Sequence, residues 1–173
     1  MRLRPPRIGI SSCLLGAEVR WDGGHKRDHT LIETLAPFVE WVAVCPELEL
    51  GMGVPREPVH LEQAADGVRM LGNQSGKNWT QPMRAFSARR LSELALLELS
   101  GYVLKRDSPS CGVNGVELLV RGDPLRAGRG LFAAALVERF PSLPIAEEHQ
   151  LHDPVVRERW LERVAAYRRP ETA

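Results

Sequence analysis

Three cysteines are the residues of this sequence best suited to do chemistry. Each of them, Cys13, Cys45 and Cys111, follows a short apolar run. These runs, which are typical of buried β-strands, span residues 8–11, 42–44 and 102–104. In an open parallel sheet, ligands bind beyond the carboxyl ends of the strands. Three thiols delivered to that edge by three different strands can therefore meet at one point and bind a soft metal.

The three thiolates suit an iron–sulfur cluster. A 4Fe-4S cluster usually takes four cysteine ligands, so with three of them one iron keeps an open position and acts as a soft Lewis acid. Zinc competes, because three Cys and a His such as His25 complete a tetrahedral site, although the close Cys pairs of zinc fingers are missing. Three separate, buried free thiols are the remaining interpretation of the cysteines alone.

Polar residues beside the cysteines extend the candidate site. Glu47 stands two residues after Cys45, where a carboxylate can act as acid or base, or can simply occupy the first turn of a helix. Ser108 and Ser110 flank Cys111, and their hydroxyl groups can bind cluster sulfides or substrate. We therefore expect the functional residues in the loops rather than in the helices.

Other polar segments are less specific. Asp22 and Gly23 favour a turn first and a substrate-binding loop second. Arg56 and Trp79 are candidates to clamp a planar heterocycle, against the plainer alternatives of a surface cation and a core aromatic residue. The histidines at 149 and 152 lie in a polar stretch that predicts exposure to solvent.

Size and composition favour a single globular domain over residues 1–173, with 43% hydrophobic and 26% charged residues. No apolar stretch approaches the length of a membrane span, and the first residues lack the apolar core of a signal peptide. We therefore expect a cytoplasmic protein with reduced thiols and no membrane partner. A net charge of +1 gives no strong indication of nucleic-acid binding. We expect a monomer or a homodimer.

Strand and helix patterns alternate along the chain. This predicts an α/β fold, with a Rossmann-like, mostly parallel sheet, helices on both faces and the three cysteines at the carboxyl ends of strands. The predicted strands are 7–12, 40–44, 102–105, 116–120 and 143–146, with a weaker one at 68–71. The predicted helices are 28–38, 131–140, one that Asp153 and Pro154 begin, and a long one from an N-cap at Thr80 to a stop at Gly101. Residues 48–58 are expected to form an ordered loop.

The assembled motifs resemble those of the 2-thiouracil desulfidase family. The motifs are Ser12-Cys13-Leu14-Leu15-Gly16 with residues 20–24, then Val44-Cys45-Pro46-Glu47, then Lys105 with Ser108-Pro109-Ser110-Cys111-Gly112. The similarity continues through 54–58, 76–80, 130–133 and the terminal helix, so it covers nearly the whole chain in order. Trp21 stands where relatives usually have Tyr.

The resemblance implies a 4Fe-4S cluster held by Cys13, Cys45 and Cys111, with one open iron. It also implies non-redox removal of sulfur from a thiolated heterocycle such as 2-thiouracil, with release of hydrogen sulfide. Glu47 and Ser108 match the catalytic positions, and substrate contacts are expected from Ser12, Asp22, Gly23, Lys105 and Ser110. The alternatives are another thiolated nucleobase as substrate, or an iron–sulfur or zinc module that stores, senses or stabilises without desulfidase activity.

Overall fold

The computed structural model describes residues 4–167, in which strands and helices follow one another along the chain. The strands are β1 (Arg7–Ser11), β2 (Glu40–Val44), β3 (Val59–Ala64), β4 (Gly67–Gly72), β5 (Gly101–Leu104), β6 (Val116–Val120), β7 (Asp123–Gly128) and β8 (Ile145–Glu147). The helices are α1 (His29–Leu35), α2 (Pro46–Leu50), α3 (Thr80–Ala95), α4 (Leu131–Arg139) and α5 (Pro154–Tyr167). Short 3-10 helices follow β1 and β8, at Ser12–Leu15 and Glu148–His152.

The strands form two four-stranded sheets. Sheet A has the order β2–β1–β5–β8, and its neighbouring strands are all parallel. One of its two central strands, β5, is buried along its whole length, as expected for a parallel strand covered on both faces. The predicted α/β fold with a mostly parallel sheet is therefore confirmed.

Helices cover both faces of sheet A. On one face, Ile8 and Ile10 of β1 join a buried cluster with residues of α1 and α5. On the other face, Tyr102 and Leu104 of β5 join a cluster with α3 and α4. Successive side chains of a strand point to opposite faces, which is why Val103 belongs to the first cluster and its two neighbours to the second.

Sheet B has the order β4–β3–β6–β7 and was not predicted as a separate sheet. Two antiparallel hairpins, β3–β4 and β6–β7, join through parallel pairing of β3 with β6. Its Leu61, Met70 and Leu118 pack in the same cluster as α3 and α4. Strands β3 and β7 were not predicted, and the expected loop at 48–58 begins within α2.

Some predicted helix boundaries were wrong. Trp79, not Thr80, is the N-cap of α3, because the Thr80 hydroxyl accepts a hydrogen bond from the Met70 N–H of β4 at 2.9 Å. This helix ends at Ala95, and Gly101 is the first residue of β5 instead of a helix stop. Helix α1 ends at Leu35, short of the predicted residue 38. Within residues 4–167, no helix is both long and apolar enough to cross a membrane.

Candidate metal and substrate site

A cavity of about 980 Å³ lies beyond the carboxyl ends of the four strands of sheet A. Its walls come from the loops after β1, β2 and β5 and from the 3-10 helix after β8. Cys13, Cys45 and Cys111 all line it. Cys45 follows β2 directly, Cys13 lies in the 3-10 helix after β1, and Cys111 stands further out, in the loop between β5 and β6. The fold thus gathers three residues that are far apart in sequence.

The three thiols are free and largely shielded from water. Cys13 and Cys111 are 9% and 6% exposed, and Cys45 is partly buried. Burial raises the pKa of each thiol, and for Cys111 the nearby Cys13 and Cys45 raise it further. Positive charge from Arg20 and Lys105 opposes the rise in the pKa of Cys13. A metal that binds these sulfurs must therefore displace protons from them.

The loop that carries Cys111 is shaped by its own backbone contacts. The Ser108 hydroxyl oxygen accepts hydrogen bonds from the N–H groups of Ser110 at 3.2 Å and Cys111 at 3.0 Å. The N–H groups of the N-cap residue Gly130 and of the first turn of α4 have no partner within the helix, and three of them donate to loop carbonyls. Gly130, Leu131 and Ala133 donate to the carbonyls of residues 112, 109 and 110. The predicted catalytic residue Ser108 thus has a structural function in this loop.

Two buried carboxylates, from the last residue of β8 and the residue that follows it, hold both ends of the same loop. Glu147 Oε1 accepts hydrogen bonds from the N–H groups of Val113 and Asn114, at 2.7 and 3.1 Å. Glu148 accepts from the Arg106 N–H at 2.8 Å and from Lys105 Nζ at 2.5 Å. Neither acid was predicted as a site residue. Two consecutive glutamates at the end of a predicted strand indicate a polar site there, but the sequence does not reveal which loop their carboxylates bind.

Glu47 lies in the first turn of α2 with both carboxylate oxygens engaged. Oε1 accepts a hydrogen bond from the Ser110 hydroxyl at 2.8 Å, and Oε2 lies 2.8 Å from both Arg56 Nε and the neighbouring guanidinium nitrogen Nη2. Ser110 is almost completely buried. The carboxylate therefore connects the Cys45 segment with the Cys111 loop.

The remaining predicted site residues divide into two groups. Ser12 and Lys105 line the cavity together with the residues described above. Asp22 and Gly23 do not; Asp22 Oδ1 accepts the Gly24 N–H within a turn, and the preceding Trp21 reaches the cavity instead. Their role as substrate contacts stays a prediction.

Four aromatic and basic residues complete the comparison with the sequence expectation. His149 and His152 are exposed, as predicted, although both also line the cavity, where His152 Nε2 is 2.6 Å from Asp28 Oδ2. Trp79 packs against the core with Lys77 over its ring. Arg56 does line the cavity, but its guanidinium is occupied by Glu47. The clamp proposed for Arg56 and Trp79 is therefore wrong.

The donor set consists of three free thiols, which are soft ligands of the kind that iron–sulfur clusters take. In the part of the chain that the structure describes, no three His, Cys, Asp or Glu side chains are close enough together to hold one metal ion. His25, the candidate fourth zinc ligand, is not among the cavity-lining residues, and its Nδ1 faces the Arg27 N–H. A 4Fe-4S cluster distributes its thiolates over different iron atoms, so its ligands need not surround one point.

Fold and site together define an α/β protein that opens a cavity lined by three cysteines at the carboxyl edge of a parallel sheet. The model of the 2-thiouracil desulfurase family matches residues 8–148. The chain belongs to this family, as its motifs indicated.

Two similar proteins extend the comparison. The uncharacterised protein YbbK of Bacillus subtilis (strain 168) is 30% identical over 151 residues, which cover 84% of this chain and 98% of YbbK. The solved structure of the 4Fe-4S-dependent thiouracil desulfidase TudS is similar with a TM-score of 0.68 and 26% identity. The alignment covers 89% of this chain and 98% of the TudS chain, so the two share the fold over nearly their full length.

Proposed function

We propose that this protein is a 4Fe-4S-dependent enzyme that removes sulfur from a thiolated pyrimidine such as 2-thiouracil. The reaction is a hydrolysis: water adds to the ring carbon, the carbon–sulfur bond breaks, and the products are uracil and hydrogen sulfide. No electrons are gained or lost. The observation that carries the proposal is the convergence of three free cysteines and Glu47 on one cavity.

Cys13, Cys45 and Cys111 are the proposed cluster ligands. When bound, the cluster supplies an iron with one open position, a soft Lewis acid suited to a thiocarbonyl sulfur. The polypeptide already provides polar neighbours for the sulfurs: Arg20 and Lys105 place positive charge near Cys13, and Ser11 donates a hydrogen bond to Cys111. Three unpaired thiols also suit a reducing compartment such as the cytoplasm.

Glu47 is the proposed proton carrier. A carboxylate in this position accepts a proton from the attacking water and returns it to the departing sulfur. Ser110 holds Glu47 Oε1 beside the Cys111 loop, so the proton is taken up and returned close to the proposed metal ligands. Lys105, held by Glu148, presents a fixed cation to the polar edge of the substrate.

The test is anaerobic reconstitution with iron and sulfide, followed by assay of 2-thiouracil, 4-thiouracil and their nucleosides. We expect a brown protein that converts at least one of these compounds to its oxo product with one equivalent of sulfide. Cys111→Ala should lose both colour and activity, while Ser92→Ala on the exposed side of α3 should keep both. A reconstituted wild type that carries the cluster but is as inert as Cys111→Ala contradicts an enzymatic function and favours storage or sensing.

A further inference from the structure

The ion pair between Arg56 and Glu47 has more contacts and is less exposed than a typical surface ion pair. Its Nε and Nη2 atoms both lie 2.8 Å from Glu47 Oε2, and Nη1 donates to the Gly53 carbonyl at 2.8 Å. The side chain of Arg56 is 6% exposed and that of Glu47 is 15% exposed. By contrast, the exposed Arg69–Asp66 pair has a single contact at 3.0 Å, with side chains 45% and 71% exposed.

The guanidinium has a geometry that no other side chain reproduces. Arginine presents a rigid planar set of donors and does not lose its proton, whereas lysine offers one mobile ammonium group. Here three nitrogens of the plane are used at once, two on one carboxylate oxygen and one on a backbone carbonyl. The backbone of Arg56 is fixed as well, because its N–H donates to the Trp21 carbonyl at 2.9 Å.

Arg56 and Ser110 hold the carboxylate from opposite sides. Arg56 occupies Oε2, and Ser110 donates to Oε1, which leaves Oε1 as the oxygen that faces the Cys111 loop. A glutamate side chain without these contacts would sample several rotamers and lose its fixed distance to a reacting water.

We infer that Arg56 is a positioning residue for the desulfidase reaction: it acts by fixing the orientation of the Glu47 carboxylate and does not touch the substrate. This inference rests on the proposed function of Glu47 as proton carrier. A displacement of about 1 Å in a reacting group can cost roughly 10²-fold in rate. Loss of Arg56 should therefore lower kcat on that scale and leave KM nearly unchanged.

The experiment compares Arg56→Ala, Arg56→Lys, Glu47→Gln and the double variant Glu47→Gln/Arg56→Ala, with Arg69→Ala as the matched control. Iron content and visible absorption of each reconstituted protein are measured beside kcat and KM. We expect Arg56→Ala to lose roughly 10²-fold in kcat at unchanged iron content. Added guanidinium ion should restore part of that loss. The double variant should be no slower than Glu47→Gln, because Arg56 acts only through Glu47.

A second readout needs no cluster. In metal-free protein with ¹³C-labelled glutamate, the Glu47 carboxyl resonance is the one that disappears in Glu47→Gln. Arg56→Lys, the variant more certain to fold, should shift that resonance, and Arg69→Ala should not. The inference is overturned by an unshifted resonance, or by a double variant slower than Glu47→Gln. A wild type inert toward every thiolated compound overturns the proposed enzymatic function alone, and the resonance then decides whether Arg56 orients Glu47.

Discussion

Glu147 and Glu148 are neighbours in sequence, yet their carboxylates hold opposite ends of the loop that carries Cys111. Glu147 accepts hydrogen bonds from the N–H groups of Val113 and Asn114, shortly after the cysteine. Glu148 accepts hydrogen bonds from Lys105 Nζ and the Arg106 N–H, just after β5. Both acids are nearly completely buried. The position of the cysteine loop therefore depends on two strands of sheet A: β5, after which the loop begins, and β8, whose end carries the two carboxylates.

Replacing Glu147 by Ala should destabilise the protein and loosen the Cys111 loop. Two backbone N–H groups lose their acceptor. A buried donor left unsatisfied costs roughly 1–3 kcal/mol, and the cost here should lie at the lower end because Val113 is only partly buried and Asn114 is exposed to water. Glu147→Gln, which keeps a carbonyl acceptor, should cost less. Urea unfolding of the metal-free protein measures both changes, with Glu162→Ala on the exposed side of α5 as control. Equal stabilities of Glu147→Ala and the control would contradict this role.

Gly130 at the start of α4 permits close approach of the cysteine loop. A Cβ atom built there would lie 2.4 Å from the backbone carbon of Ser110 and 2.8 Å from the Cys111 nitrogen. Gly130→Ala must therefore push the loop outward, and overpacking of this kind typically costs about 1–3 kcal/mol. We expect reduced iron content after anaerobic reconstitution, because Cys111 moves away from the other two sulfurs.

The control for Gly130→Ala is Gly122→Ala in the turn between β6 and β7. A Cβ atom at Gly122 meets nothing within 4 Å, but its φ of +86° makes alanine unfavourable there, by roughly 1 kcal/mol. Both variants should thus lose stability in urea unfolding, and only Gly130→Ala should lose iron. Normal iron content in Gly130→Ala would show that the loop tolerates the displacement.

Ser108 provides a way to separate loop structure from catalysis. Its hydroxyl oxygen accepts two backbone N–H groups, so Ser108→Ala should cost about 1 kcal/mol of stability and lower iron retention. Ser108→Thr keeps the hydroxyl and should preserve both. Iron content and kcat are measured for each variant. If kcat of Ser108→Ala falls while iron content stays at the wild-type level, Ser108 has the direct catalytic role that its sequence motif indicates, and the loop role is secondary.

The sequence predicted sheet A and its helices well because their signals are local. Strand β1 is a short apolar run, and α5 begins with Asp153 before Pro154, an unambiguous helix start. Sheet B lacks such signals. Strand β7 is exposed along most of its length and contains Pro124, a residue tolerated at a sheet edge but not indicative of a strand. Its existence depends on pairing with β6, which composition does not reveal.

Site residues could be predicted only where a sequence motif places a polar or acidic side chain close to a cysteine. Glu47 and Ser110 were identified in this way, and the structure joins them at 2.8 Å. The histidine at 152 and its partner Asp28 were not, because they meet only when the 3-10 helix after β8 packs near α1. A contact between distant segments leaves no periodic signal in either segment.

Tyr102 should make the metal-free protein sensitive to alkali. Its ring is buried against Gly9, and burial raises the pKa of its phenol well above the usual value near 10. As the pH rises, the unfolded chain therefore loses the phenolic proton before the folded chain does. The free energy of unfolding is unaffected by this group below about pH 10 and falls as the pH increases further. The pKa values of the three cysteine thiols are also raised by burial, so the same decline begins for them nearer pH 9.

Tyr102→Phe removes the phenol and leaves the thiols, so its free energy of unfolding should fall less steeply above about pH 10 than that of the wild type. Urea unfolding of metal-free protein between about pH 8 and 11 measures the two slopes. Tyr167→Phe in α5, which removes the hydroxyl group of the other tyrosine of the chain, serves as the control. Parallel curves for Tyr102→Phe and wild type would mean that the phenol does not resist ionisation in the folded state, and the alkaline decline would then belong to the thiols.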